Sequence, residues 1–185
     1  MCDSNEGKTR CDMRTQVDWI DVPIAGRLAI IRHPRAGDWL DEEISGWRAA
    51  GVDIVVSLLE QEEVRELDIC READLCREQG IEFLSFPIPD RAVPAALRAA
   101  MALSQSLAAQ IGQGKAVAVH CRAGIGRSSL IAACILVCLR FDADEAFEKI
   151  SQARGVRVPD TPEQREWVMA FRDAVATASP IGGTT

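Results

Sequence analysis

The sequence predicts an α/β fold: a single compact domain with a mostly parallel central sheet flanked by helices. Three observations carry this. Short apolar runs rich in β-branched residues, such as Val52–Leu59 (VDIVVSLL) and Ala116–Val119, have the unbroken hydrophobicity of strands buried on both faces. Helical segments separate these runs, the order that parallel strand–helix–strand units require. A chain of 185 residues builds one domain with a full core but is short for two.

Each element follows in turn. Residues 1–15 form a polar, mobile lead containing Cys2 and Cys11; the domain is expected over 16–177, with a flexible tail at 178–185. Val17–Val22 and Arg27–Arg32 read as the first strands, parted by a turn at Pro23-Ile24-Ala25-Gly26. His33 ends the second strand before Pro34 and reads as a surface residue. Asp38–Ala50 is helical, with Gly51 as its C-cap. After the strand Val52–Leu59, the acidic stretch Glu60–Glu66 reads as a turn and Asp68–Gln79 as a helix ended by Gly80. Ile81–Phe86 is a strand that delivers the chain into Pro87-Ile88-Pro89-Asp90.

Val93–Ile111 reads as a helix, with Leu97, Met101, Ala108 and Ile111 as its core stripe. Gly112 and Gly114 return the chain to the strand beginning at Ala116. Leu130–Leu139 holds ten residues without a charge, so this helix is apolar all round and central. Asp142 with Glu145 makes a capping box, and Phe147 and Ile150 supply the buried face behind it. Thr161, Pro162 and Gln164 open a last helix that buries Trp167, Val168 and Phe171.

Composition narrows the function classes. The chain is 48% hydrophobic and 26% charged, which is ordinary for a soluble globular protein. A net charge of −7 offers no basic footprint for nucleic acid or an anionic membrane. No apolar run approaches the roughly 20 residues of a membrane span, and the N-terminus lacks the apolar core of a secretion signal. Seven cysteines without a CxxC pair do not form a disulfide framework; the odd count points to reduced thiols and a cytoplasmic protein. With only His33 and His120 as histidines, neither a zinc site nor any other metal or cofactor is expected.

The chemistry concentrates in Lys115–Ser129, KAVAVHCRAGIGRSS. A buried strand, a loop bearing Gly124 and Gly126, and a helix N-terminus follow one another. Unpaired backbone N–H groups converge there, and the helix dipole favours negative charge, so the loop is an anion cradle. Cys121 opens it and Arg127 closes it. A free thiol titrates near roughly 8.5, and a helix N-terminus with a neighbouring cation lowers that, which predicts a thiolate at neutral pH. The planar fork of Arg127 suits two phosphate oxygens at once. Nucleophile, cradle and clamp together indicate phosphoryl transfer to sulfur.

His120-Cys121-Arg122-Ala123-Gly124-Ile125-Gly126-Arg127-Ser128 resembles the HCxxGxGRS signature of the cysteine-based protein tyrosine and dual-specificity phosphatases, with every fixed position present. The resemblance implies a dual-specificity phosphatase-like fold with the loop strand near the sheet centre. It implies that the backbone from Arg122 through Ala123, Gly124, Ile125 and Gly126 to Arg127 binds the substrate phosphate. Ser128 would donate to the Cys121 sulfur and ease its departure. His120 would orient the loop through backbone hydrogen bonds and help keep the thiolate ionised.

An acid is also needed to protonate the leaving oxygen. Between residue 91 and Cys121 there is no Asp or Glu, so Asp90 is the nearest upstream carboxylate. Its setting, Phe86-Pro87-Ile88-Pro89-Asp90, resembles the general-acid loop of the dual-specificity group. Arg91 beside it holds this loop, binds substrate or is simply solvated. Val158-Pro159-Asp160-Thr161-Pro162-Glu163-Gln164 resembles the glutamine loop that positions water in tyrosine phosphatases, but Asp160 stands where those enzymes have glutamine. Gln164 is therefore a supporting candidate, read first as completing a capping box with Thr161.

The expected activity is a metal-independent phosphoprotein phosphatase acting on phosphotyrosine, with phosphoserine and phosphothreonine open, through a cysteinyl-phosphate. The length and the FPIPD loop fit the cyclin-dependent-kinase-inhibitor-like branch. The alternative is a lipid or small-molecule phosphate monoesterase using the same loop, for which the basic Arg122 gives some support. The expected partner is a phosphorylated protein or peptide, met by a monomer, with no nucleic acid and no membrane span.

Overall fold

A computed structural model describes residues 15–178 of the chain. The lead and tail expected from the sequence lie almost wholly outside these residues. Five strands form one sheet in the order β1-β2-β5-β3-β4: β1 Asp18–Trp19, β2 Arg27–Arg32, β3 Ile54–Ser57, β4 Glu82–Ser85 and β5 Ala116–Cys121. β2, β5, β3 and β4 run parallel, and β1 pairs antiparallel with β2, so the sheet is mixed at one edge. The first strand is much shorter than Val17–Val22. Among the described residues it has one neighbour, and its pairing ends soon after the Ile20 N–H donates to the Leu28 carbonyl at 2.9 Å.

Helices α1 Leu40–Ala49, α2 Gln61–Glu66 and α3 Glu72–Glu78 precede β4; α4 Leu97–Gly112, α5 Arg127–Cys138, α6 Ala143–Arg154 and α7 Pro162–Ala178 flank or follow β5. Two expectations change. Glu60–Glu66 is not a turn: the Glu60 N–H donates to Glu63 Oε2 at 3.0 Å, and that cap starts α2. The helix expected from Val93 starts only at Leu97, because Ala96 remains extended at φ −129°. Its buried stripe is accordingly rotated to Ala100, Ser104, Leu107, Ala108 and Ile111, leaving Leu97 exposed and Met101 half-buried.

β5 is the buried middle of the sheet, every residue covered. Side chains alternate across it. Val117, Val119 and Cys121 enter one core with α4, α5, α6 and α7; Ala118 lies in the other with Ile44, Trp47 and Leu75. α5 buries eleven of its twelve residues, as its uncharged run requires. The Asp142 carboxylate caps α6 through the Asp144 and Glu145 amides, and Val168 and Phe171 bury α7, with Trp167 half-buried and stacked on Phe171. No helix among the described residues is long and apolar enough to cross a membrane.

Candidate active site

The parallel sheet places the C-terminal ends of β2, β3 and β5 side by side, with Arg32 opposite Cys121 and Ser57 opposite His120. The loop from Arg122 to Gly126 leaves this end and enters α5. Gly124 sits at φ +69°, and a Cβ there would lie 2.9 Å from the Ile31 carbonyl oxygen. Any other residue would push the loop off β2. Among the described residues, no amide from Arg122 to Gly126 donates to a backbone carbonyl. Those donors stay free for an anion.

Cys121 is buried beneath them, its Sγ 3.4 Å from Ser128 Oγ. Of the other thiols, Cys76 and Cys134 are buried and Cys138 is half-buried. Burial, with the Glu72 charge, pushes Cys76 up to about 12; burial, with the neighbouring Cys138, drives Cys134 well above its ordinary value, and burial pushes Cys138 up to about 11 against the pull of Arg140. These three stay protonated at neutral pH and make poor nucleophiles.

Arg127 is 2% exposed. Its Nη1 lies 2.6 Å from Glu63 Oε2 and its Nη2 2.8 Å from Glu63 Oε1, a fork-to-fork pair. Nη1 also donates to the Ile88 carbonyl at 2.9 Å, and Nη2 lies 3.1 Å from Asp90 Oδ1. Burial alone would lower the basicity of this guanidinium. The Glu63 hydrogen bonds and the charges of Cys121, Glu63 and Asp90 outweigh it, and the net shift is upward. For Glu63, burial is likewise outweighed by Arg127, the Glu60 amide and Arg122, so its carboxyl is held below 4.5.

Glu63 is a site residue that the sequence reading missed. It lies 64 positions from Arg127, and the only local signal was its cap spacing to Glu60. Glu63→Gln removes a buried counter-ion and is expected to lower kcat/KM by roughly 10- to 100-fold as Arg127 loses its aim. The folded-state carboxyl is depressed, so its stabilisation is present above about pH 4.5 and fades as pH falls through the lower folded value. Melting curves should therefore show less acid destabilisation below pH 4.5 in Glu63→Gln than in wild type. Parallel curves would remove the ion pair from the account.

Asp90 follows β4 on the Pro87–Pro89 segment, its side chain 66% exposed at the mouth. It borders one cavity of about 220 Å³ with Cys121, Arg127, Asp160 and Gln164; Arg91 and Arg122 stand on its rim. Arg122 reaches Glu66 at 3.4 Å, and Arg91 lies 3.8 Å from Asp160. The structure thus brings together Cys121, Ser128, Arg127, Asp90 and the loop from Arg122 to Gly126.

Two supporting residues sit differently from expectation. Period-two alternation along β5 turns His120 to the sheet face opposite Cys121. Its fully buried ring lies beside Trp47 at a centroid distance of 6.2 Å. Nε2 is 2.9 Å from Glu72 Oε1 but not aligned as a hydrogen bond, and Nδ1 has no partner among the described residues. The ring therefore does not hold the loop backbone. The Gln164 N–H donates to Thr161 Oγ1 at 3.3 Å, but its side chain does not return the cap. It is fully buried, donates through Nε2 to the Ala92 carbonyl at 3.1 Å, and packs against Gly126, where a Cβ would lie 3.0 Å from Oε1. Gln164 belongs to the cavity wall, and its Oε1 has no hydrogen-bond partner among the described residues.

The sequence and the fold both have known relatives. Cyclin-dependent kinase inhibitor 3 of Rattus norvegicus is 27% identical over 131 residues, and that of Sus scrofa 26%. Each alignment covers 70% of this chain, which spans 61% of those relatives. The crystal structure of kinase associated phosphatase with its catalytic-site cysteine changed to serine superposes with a TM-score of 0.77 at 20% identity, covering 88% of this chain and 96% of that one. Tk-PTP in its active form gives 0.69 at 27% identity, covering 85% and 96%. PTPMT1 bound to PI(5)P gives 0.68 at 24%, covering 86% and 97%. The family model described as "Polymorphic toxin system, DSP-PTPase phosphatase" matches residues 16–140, more than half of the sequence. With the signature loop, its arginine clamp and the sheet that carries them on one end, the chain belongs to this family of DSP-PTPase phosphatases.

Proposed function

We propose that this chain is a metal-independent phosphoprotein phosphatase that works through a cysteinyl-phosphate. The observation that carries the reading is convergence: a thiol, a buried arginine fork, the mostly exposed Asp90 carboxylate and a ring of uncommitted amides share one cavity of about 220 Å³. The Cys121 thiolate attacks phosphorus as the P–O bond to the leaving group breaks, and Asp90 gives that oxygen its proton. Arg127 and the loop amides hold the three equatorial oxygens, supplying the charge that magnesium supplies in other phosphoryl transfers. Asp90, now a base, takes a proton from water. That water attacks phosphorus, the S–P bond breaks, and Ser128 donates to the departing sulfur across the 3.4 Å contact.

A protein substrate is favoured by the similarity to cyclin-dependent kinase inhibitor 3 and to kinase associated phosphatase. A lipid headgroup is the second reading, because Arg91 and Arg122 rim the cavity and PTPMT1 was solved with PI(5)P. A monomer in the reducing cytoplasm suits the five described free thiols. The test is hydrolysis of phosphotyrosine, phosphoserine and phosphothreonine peptides, phosphoinositides and nucleotides by purified protein. Peptide turnover should dominate, survive EDTA and be blocked by orthovanadate. A strict need for a divalent metal would contradict the mechanism; faster turnover of phosphoinositides would move the assignment to lipid.

A further inference from the structure

We propose that Arg154, held in place by Asp18, is the positioning residue that aims two amides of the phosphate loop; the inference rests on the phosphatase reading above. Arg154 is the last residue of α6, and its side chain is 3% exposed. Its Nε donates to the Gly124 carbonyl at 2.8 Å and its Nη2 to the Ala123 carbonyl at 3.1 Å. Nη1 is bound by Asp18 Oδ2. One planar fork thus takes two consecutive loop carbonyls and one carboxylate.

The consequence is geometric. In a trans peptide the C=O and the following N–H point in opposite directions in one plane. Drawing the Ala123 carbonyl outward turns the Gly124 N–H inward, and drawing the Gly124 carbonyl outward does the same for the Ile125 N–H. These are two of the amides that have no backbone acceptor. The lack of a side chain at Gly124 is part of the device, since a Cβ there would stand 3.3 Å from Arg154 Nη2 as well as against Ile31.

Asp18 supplies the aim. It belongs to the two-residue edge strand β1, its side chain is 10% exposed, and its Oδ1 accepts from Gln16 Nε2 at 2.8 Å. The carboxylate is fixed from both sides and sets the rotation of the guanidinium. A lysine at 154 can reach one carbonyl but cannot span two and a carboxylate together. β1 is thereby tied to the anion cradle, although it contributes nothing to the cavity itself.

The experiment uses full-length protein and needs no substrate. Iodoacetamide modification of Cys121 is followed by mass spectrometry while orthovanadate is titrated as the protecting anion. Arg154→Lys should raise the half-protecting orthovanadate concentration by roughly 10- to 100-fold. Asp18→Asn should raise it less, and Asp18→Glu should restore protection to near wild type. Folded variants that lose several degrees of melting temperature yet keep wild-type protection would make the pair a structural tie only and overturn the proposal. If Arg154→Lys does not fold, Asp18→Asn decides: unchanged protection overturns it, weakened protection rescued by Asp18→Glu supports it. A wild-type Cys121 that orthovanadate fails to protect overturns this proposal and the phosphatase reading together. A protected wild type with an equally protected Arg154→Lys overturns this one alone.

Discussion

Cys121→Ser is expected to lower kcat by more than about 10⁴-fold while leaving phosphate binding intact. The serine hydroxyl can occupy the space of the sulfur 3.4 Å from Ser128, so the loop amides and Arg127 keep their geometry. What disappears is the nucleophile. With the cradle unchanged, affinity should hold. The check has two parts: rapid-quench single-turnover assays, in which no phospho-enzyme should form, and calorimetry with a phosphopeptide for binding. Residual activity above about one hundredth of wild type would remove the covalent mechanism. Lost binding together with lost turnover would mean that the substitution collapsed the loop.

Asp90→Asn is expected to slow substrates with poor leaving groups by roughly 10²- to 10⁴-fold, and activated aryl phosphates far less. Alkyl and peptide alcohols cannot depart without a proton, whereas acidic phenols can. The structure adds a reason for the residue's position. Asp90 rests 3.1 Å from Arg127 Nη2, the nitrogen that an incoming phosphate oxygen would claim. Substrate entry is therefore expected to separate the pair and free the carboxyl, which is mostly solvent-exposed, to meet the leaving oxygen. The basic limb of the kcat/KM profile should flatten in the variant, since no carboxyl proton remains to be lost. An equal loss on both substrate types, with the bell shape kept, would assign Asp90 to loop structure and make Asp160, on the same cavity, the next residue to substitute.

Much of this was readable before any coordinates. The strand–loop–helix unit around Cys121 is local in sequence, and its glycines, its uncharged helix and its terminal arginine each answer a short-range demand of backbone and dipole. The order of strands and helices was legible for the same reason, and Asp90 emerged because no other carboxylate lies between it and the loop. Errors fell where a feature depended on a distant partner. Glu60–Glu66 is polar enough to read as a turn; its own cap makes it a helix, and only the fold brings its Glu63 to Arg127. His120 belongs to the signature, yet the pleat of β5 turns its ring to the far face. Gln164 satisfies a local capping pattern through its backbone, while its side chain is spent on Ala92 and Gly126. By itself the sequence determined the fold class and the strand–loop–helix unit that carries Cys121, Gly124 and Arg127. Tertiary structure decided what aims them: Glu63 on Arg127, Arg154 on the loop carbonyls and Asp18 on Arg154, because ion pairs between residues dozens of positions apart exist only once packing has brought them out of water together.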